Sequence, residues 1–225
     1  MPRPAPRPLA LDAVLFDLDG TLADTAGDLA AALNRVRADR GLPPVPAGQL
    51  RAHASAGARG LLGAGMGVAP DHPDYVALRG AFLAYYAEEL AVTTRLFDGV
   101  GDLLAALDAR GMRWGVVTNK AQRYTQPVLA ALGLAPRAAV VVSGDTTAHP
   151  KPHPAPLLHA AEALGVTPAR CAYVGDDLRD VIAGNSAGMS TLVADYGYLG
   201  ESGSSEGWPA TGWIDTPVAL LSWLP

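Results

Sequence analysis

The sequence predicts an α/β fold: a three-layer, Rossmann-like parallel sheet core with a helical cap domain inserted after the first strand. Three observations predict it. Short, largely apolar runs at Ala13 to Phe16, Arg113 to Val117, Ala139 to Val142 and Cys171 to Val174 are each followed by polar residues and then a helical pattern. Runs without a polar face are buried on both sides, and their alternation with helices implies a parallel sheet covered on each face. Between the first run and the second, Gly41 to Arg95 shows no clear strand run but contains helical stretches.

In chain order, residues 1–10, where Pro alternates with Arg and Ala, read as a flexible leader lacking the continuous apolar stretch of a secretory signal. Residues 11–25 hold the first strand and its loop, and an Ala- and Leu-rich helix runs from about Asp24 to Arg40. Residues 26–95 form the cap, punctuated by Pro43-Pro44 and including a helix over Asp74 to Leu90. The core resumes over 96–225. Phe97-Asp98-Gly99 marks the re-entry, and a helix begins near Val100 and stops at Gly111. Gly200 to Gly212, rich in Gly and Ser, reads as a surface loop before a short final helix.

A chain of 225 residues has room for one full-sized domain, or for a core carrying a smaller insert. With 49% apolar and 17% charged residues its composition is globular. The net charge of −5 provides no basic field for nucleic acid or an acidic membrane surface. No run of around 18 apolar residues offers a membrane span. The single cysteine, Cys171, lies in an apolar run, reads as a buried inert thiol and suits a reducing cytoplasm, so a cytoplasmic location is expected.

In such sheets ligands bind beyond the carboxyl ends of the strands. That is where this chain concentrates polar residues: Asp17 and Asp19, Thr118 and Asn119, Asp176 and Asp177. Two carboxylates as close as Asp17 and Asp19 repel unless a cation or hydrogen-bond donors compensate. With Asp176, Asp177 and Asp180 delivered from another strand end, the cluster demands a hard cation, and an all-oxygen site suits Mg2+. Asp19-Gly20 could also make a simple turn. At ordinary residue usage, however, D-x-D-G-T arises by chance only about 10⁻³ times in a chain of this length.

Val14 to Thr25 (V-L-F-D-L-D-G-T-L-A-D-T) resembles the first motif of the haloacid dehalogenase-like hydrolases. V-V-T-N-K at Val116 to Lys120, K-P-H-P at Lys151 to Pro154 and V-G-D-D-L-R-D at Val174 to Asp180 resemble the other three, in family order across nearly the whole chain. The insert corresponds to the helical cap of the subfamily that includes phosphoglycolate phosphatase. The resemblance implies a Mg2+-dependent phosphomonoesterase in which Asp17 attacks phosphorus and forms an aspartyl-phosphate. Asp19 would serve first as general acid and then as general base. Asp17, Asp176 and the backbone carbonyl of Asp19 would bind the metal. Thr118 and Asn119 would hold the phosphoryl oxygens, Lys151 would balance their charge, and Thr21 would support the loop. Asp177 and Asp180 are either first-turn helix acids or, respectively, a contact to metal-bound water and a brace for Lys151. His149 and His153 are expected in loop or capping roles.

In Arg51 to Gly60 (R-A-H-A-S-A-G-A-R-G), small residues around Ser55 and Arg59 would let a cap loop approach a ligand closely. Arg59 either pairs with a second anionic or polar group or is a surface arginine. The implied partner is a small phosphorylated metabolite, and the protein a monomer or homodimer. Phosphoglycolate phosphatases give one comparison. R-A-D-R-G-L-P-P-V at Arg37 to Val45, G-A-R at Gly57 to Arg59, W-G-V-V-T-N-K at Trp114 to Lys120 and D-Y-G-Y at Asp195 to Tyr198 resemble the N-acetylmuramic acid 6-phosphate phosphatases. Carbon–halogen hydrolysis would use the same nucleophile but needs neither Asp19 nor the acidic motif at Asp176. A phosphomutase would have to keep water from the aspartyl-phosphate. A non-catalytic binding module should show a damaged motif, and none of Asp17, Asp19, Thr118, Lys151 or Asp176 is replaced.

Overall fold

The computed structural model describes residues 5–201 and 203–225. From the first strand, β1 (Ala13–Phe16), the chain passes through the two-residue strand β2 (Ala23–Asp24) into α1 (Ala26–Ala38). Next come α2 (Ala47–Leu50), a 3-10 turn (Arg51–Ala56), α3 (Gly57–Met66) and α4 (Tyr75–Glu88), and β3 (Arg95–Leu96) returns antiparallel to β2. The rest alternates: α5 (Val100–Ala109), β4 (Arg113–Val117), α6 (Gln122–Ala131), β5 (Val140–Val142), α7 (Ala155–Leu164), β6 (Cys171–Gly175), α8 (Leu178–Ser186), β7 (Ser190–Ala194) and β8 (Gly212–Ile214). The expected short final helix is a 3-10 helix (Pro217–Trp223).

The six longer strands form one parallel sheet in the order β5-β4-β1-β6-β7-β8. Numbered without the short ribbon, this is the order 3-2-1-4-5-6, and such sheets bind ligands where the order reverses, here between β1 and β6. Alternate residues of β1 explain the three layers. Val14 and Phe16 join Leu103, Leu104, Val128 and Leu129 on one side, whereas Ala13 and Leu15 join Leu157, Ala160 and Ala183 on the other. Cys171 is buried on that second side, and burial pushes its thiol up to about 11. Strands β7 and β8 were not expected from the sequence; β8 emerges directly from the Gly- and Ser-rich segment as three residues.

The insert of α1 to α4 has its own core, with Leu29, Leu33 and Val36 of α1 packed among Leu61, Leu62, Leu78, Phe82 and Tyr86. It leaves and re-enters beside the β2–β3 ribbon, where Asp28 fastens its two ends. The buried Asp28 carboxylate accepts the backbone N–H and hydroxyl of Thr93 (2.7 and 2.6 Å) and of Thr94 (3.1 and 2.6 Å). Burial alone would raise its pKa, but these bonds outweigh burial and hold the carboxyl below its ordinary value. Replacing Asp28 with Ala is expected to cost about 3 kcal/mol, a fall of roughly 9 °C in melting temperature. Because the folded pKa is depressed, this contribution is complete at neutral pH and is lost as pH falls through the carboxylate range. Melting curves of parent and variant should therefore converge on acidification.

Part of the expected leader is docked: Leu9 donates its N–H to the carbonyl of Trp223 at 2.8 Å and packs on the core. Residues 1–4 of that leader lie outside the described residues. Among the described residues, no helix is long and apolar enough to cross a membrane.

Candidate active site

Strand β1 delivers Asp17 just past its carboxyl end, and β6 delivers Asp176 beside it. With Asp180 from the first turn of α8 they form a buried triad whose oxygens lie within 4.8 Å of one another. Gly20 permits this approach: its φ of +88° suits glycine, and a Cβ there would run into the Asp176 carboxylate. A Cβ at Gly197, in the loop after β7, would likewise run into Asp176, at its own Cβ.

The three acids differ in how they are held. Both oxygens of Asp176 are occupied, Oδ1 by the Thr21 hydroxyl (3.1 Å) and Oδ2 by the Ser55 hydroxyl (2.8 Å) and the Tyr198 N–H (3.0 Å). Both oxygens of Asp180 are occupied too, Oδ1 by Lys151 Nζ (2.7 Å) and the Tyr173 hydroxyl (3.1 Å), Oδ2 by the Asp177 N–H (3.1 Å). Asp17 is different. Its Oδ1 makes an ionic contact with Lys151 Nζ at 2.9 Å and has no other partner among the described residues. Of the triad, Asp17 has the fewest partners among the described residues, which leaves it the most lone pairs for an electrophile.

Charge in this pocket is unbalanced. Burial, reinforced by Asp180 and Asp19 and opposed by Lys151, pushes Asp17 up to about 6. Burial, followed by the charges of Asp17 and Asp180, raises Asp176 well above the ordinary carboxylate value. One ammonium cannot neutralise three buried carboxylates, so the site either takes up protons or holds a cation. An all-oxygen, triply acidic donor set fits a hard divalent ion.

Lys151 enters from the loop before α7. Its ammonium also reaches the Val117 carbonyl (3.1 Å) and the Tyr173 hydroxyl (2.7 Å). Burial disfavours that charge, but Asp17 and Asp180 outweigh burial and raise the Lys151 pKa. Asn119 fixes the loop, donating from Nδ2 to the Lys151 carbonyl and accepting its N–H, both at 2.9 Å. The side chain expected on a phosphoryl oxygen is thus engaged with the Lys151 backbone. Thr118 is buried at the end of β4 and lines the same cavity; its hydroxyl accepts the Lys120 N–H, and Ala121 rather than Thr118 caps α6. Asp177 caps α8 in a capping box with Asp180, and its carboxylate pairs with Arg179 at 2.8 Å. His153 accepts the Ala155 N–H, in keeping with a capping role.

Asp19 lies across the cavity, half-buried, accepting the Thr25 hydroxyl at 2.6 Å and standing 3.1 Å from Lys120 Nζ. Lys120 was not singled out in the sequence. It donates to the Tyr86 hydroxyl of α4 (2.9 Å) and lies over the Tyr86 ring, so it joins the acid to the insert. Ser55 also reaches across, its hydroxyl on Asp176 and its carbonyl accepting Arg179 at 2.9 Å. Arg59 does not reach this cavity. It lines a neighbouring hollow, because Ser55 lies in the 3-10 turn and Gly57 (φ +57°) breaks the backbone where α3 begins, so the two residues do not share one helix face. Arg79, Arg123, Tyr86 and Tyr124 line the cavity instead. Their only signal in sequence is placement on helix faces whose orientation depends on how insert and core pack.

A family model for haloacid dehalogenase-like hydrolases matches residues 11–188. The chain belongs to that family. An N-acetylmuramic acid 6-phosphate phosphatase of Pseudomonas aeruginosa is 43% identical over 213 residues, covering 95% of this chain and 94% of the relative. A phosphoglycolate phosphatase of Xanthomonas campestris pv. campestris is 43% identical over 216 residues, 95% of each chain. A solved structure described as a predicted phosphoglycolate phosphatase from Haemophilus somnus superposes with a TM-score of 0.81 at 28% identity, covering 94% of this chain and 97% of its own. Within the family, then, this chain is a phosphatase, a phosphoric monoester hydrolase.

Proposed function

We propose that the protein hydrolyses a small phosphorylated metabolite through an aspartyl-phosphate on Asp17, with residues 26–95 acting as a cap over a catalytic core of 11–25 and 96–225. The observation that carries this reading is the carboxylate of Asp17, whose one partner among the described residues is Lys151, in a triad whose other members each accept three hydrogen bonds. An Asp17 oxygen attacks phosphorus as the ester P–O bond breaks, and Asp19 gives its proton to the departing alkoxide. Asp19 then takes a proton from water as water attacks the phosphorus of the aspartyl-phosphate, releasing phosphate and restoring Asp17. Lys151 offsets the negative charge on Asp17 and the phosphoryl group throughout, while Tyr173 and Asp180 hold its ammonium in place. Thr118 holds a phosphoryl oxygen. Mg2+, held by Asp17, Asp176 and the Asp19 backbone carbonyl, would supply further neutralisation of phosphoryl charge when bound.

Phosphoglycolate and N-acetylmuramic acid 6-phosphate are both candidate substrates, since relatives with either name match at 43% identity over almost the whole chain. A phosphate-release screen of small phosphorylated metabolites, with these two side by side, tests the reading. Release in the presence of Mg2+, abolished by chelation and restored by added metal, is expected. Release that is indifferent to chelation would contradict the metal assignment, and absence of release from every phosphomonoester would contradict the reading itself.

A further inference from the structure

Four acids line the cavity onto which Asp17 opens, and each is already matched with a cation. Asp17 and Asp180 share Lys151, Asp19 faces Lys120, and Asp177 pairs with Arg179. Two lining cations remain over, Arg79 of α4 in the insert and Arg123 of α6 in the core. Neither has an acidic partner among the described residues; Arg123 rests on the ring of Tyr124. Both are exposed, whereas Asp17, Thr118 and Lys151 are buried, so the arginines stand at the rim and the acids at the floor. Both also line the adjoining outer groove with Leu83 and Pro127, which puts them where a bound molecule would pass from the inner cavity outward.

Resting on the phosphatase reading, we infer that Arg79 and Arg123 together form a second anion subsite, and that the substrate is a phosphomonoester bearing a carboxylate. Guanidinium forks match carboxylates, and two of them on separate elements would grip one carboxylate from both sides. Because one arginine belongs to the insert and the other to the core, the substrate's carboxylate would also join the two parts across the cavity mouth. Phosphoglycolate and N-acetylmuramic acid 6-phosphate share this chemistry: the first has its carboxylate next to the ester carbon, the second on a lactyl ether across a sugar ring. Arg59, the sequence candidate for such a role, lines the neighbouring hollow instead.

Matched substrates test this. N-acetylglucosamine 6-phosphate lacks the lactyl carboxylate of its muramic counterpart, and 2-hydroxyethyl phosphate lacks the carboxylate of phosphoglycolate. For the pair the enzyme uses, kcat/KM for the acid divided by that for its neutral match should fall about 10-fold in Arg79→Gln and in Arg123→Gln, with the loss in KM, and further in the double variant. Arg→Lys at either position should retain part of the preference. Which pair responds identifies the source of the carboxylate. An unchanged ratio in the double variant, with phosphate still released from both members, overturns the subsite and leaves the phosphatase standing. Failure of the parent enzyme to release phosphate from these four compounds and from p-nitrophenyl phosphate overturns the phosphatase reading, and the subsite with it.

Discussion

Asp17→Asn lowers phosphate release by about 10⁴-fold or more while the protein stays folded. The amide is close to the carboxylate in shape but is a poor nucleophile and cannot carry the phosphoryl group. The other two acids of the triad are poorly placed to take over, because Asp176 and Asp180 are each fixed by three hydrogen bonds. Stability should hold for a separate reason. Asp17 is crowded by burial and by neighbouring acids, which is why its pKa rises to about 6, so removing its charge relieves repulsion while forfeiting one contact with Lys151. Phosphate release measured alongside a melting curve checks both halves. A folded Asp17→Asn protein retaining a tenth of the parent rate would remove the basis for the mechanism.

Lys151→Met should damage stability and activity together. The ammonium is the one cation in contact with the triad among the described residues, touching Asp17 and Asp180 at 2.9 and 2.7 Å. Its loss leaves three carboxylates within 4.8 Å of one another in a buried site. Breaking a buried pair of this kind costs about 3–5 kcal/mol, or roughly 10 °C in melting temperature, and the missing charge at phosphorus costs about 10³-fold in kcat. The two losses separate in a second variant. Adding Asp180→Asn to Lys151→Met removes one stranded charge, so part of the stability returns while activity does not. Identical melting temperatures for the single and double variants would show that charge balance is not what Lys151 contributes.

The core strands β1, β4 and β6 were legible because a strand buried on both faces leaves an unmixed apolar signature, and the chemical residues sit directly at their ends. The triad was legible for the same reason. What sequence could not convey depends on packing between distant segments. Strand β7 is as long as β4 and β6 but opens on two hydroxyl residues, Ser190 and Thr191, and β8 has three residues beside a Gly- and Ser-rich stretch. Tyr198, from the loop between them, donates its N–H to Asp176, and its hydroxyl accepts the Thr25 N–H at 2.8 Å; that contact spans the chain. Lys120 stood inside a recognised motif, yet its partners Asp19 and Tyr86 come from β1's loop and from α4. The use of the Asn119 side chain on the Lys151 loop depends on a contact across 32 positions, which the motif alone does not reveal. The two readings of Arg59 stay open in the sequence because spacing alone does not reveal the backbone break at Gly57 that sets it in the neighbouring hollow.

A covalent aspartyl-phosphate is tested most directly by the stereochemistry at phosphorus. Each in-line displacement inverts the phosphorus centre, so attack by Asp17 followed by attack by water gives net retention. Hydrolysing an isotopically chiral thiophosphate ester with the parent enzyme and determining the configuration of the released thiophosphate should show retention; inversion would mean that water attacks the substrate directly and that Asp17 is not the nucleophile.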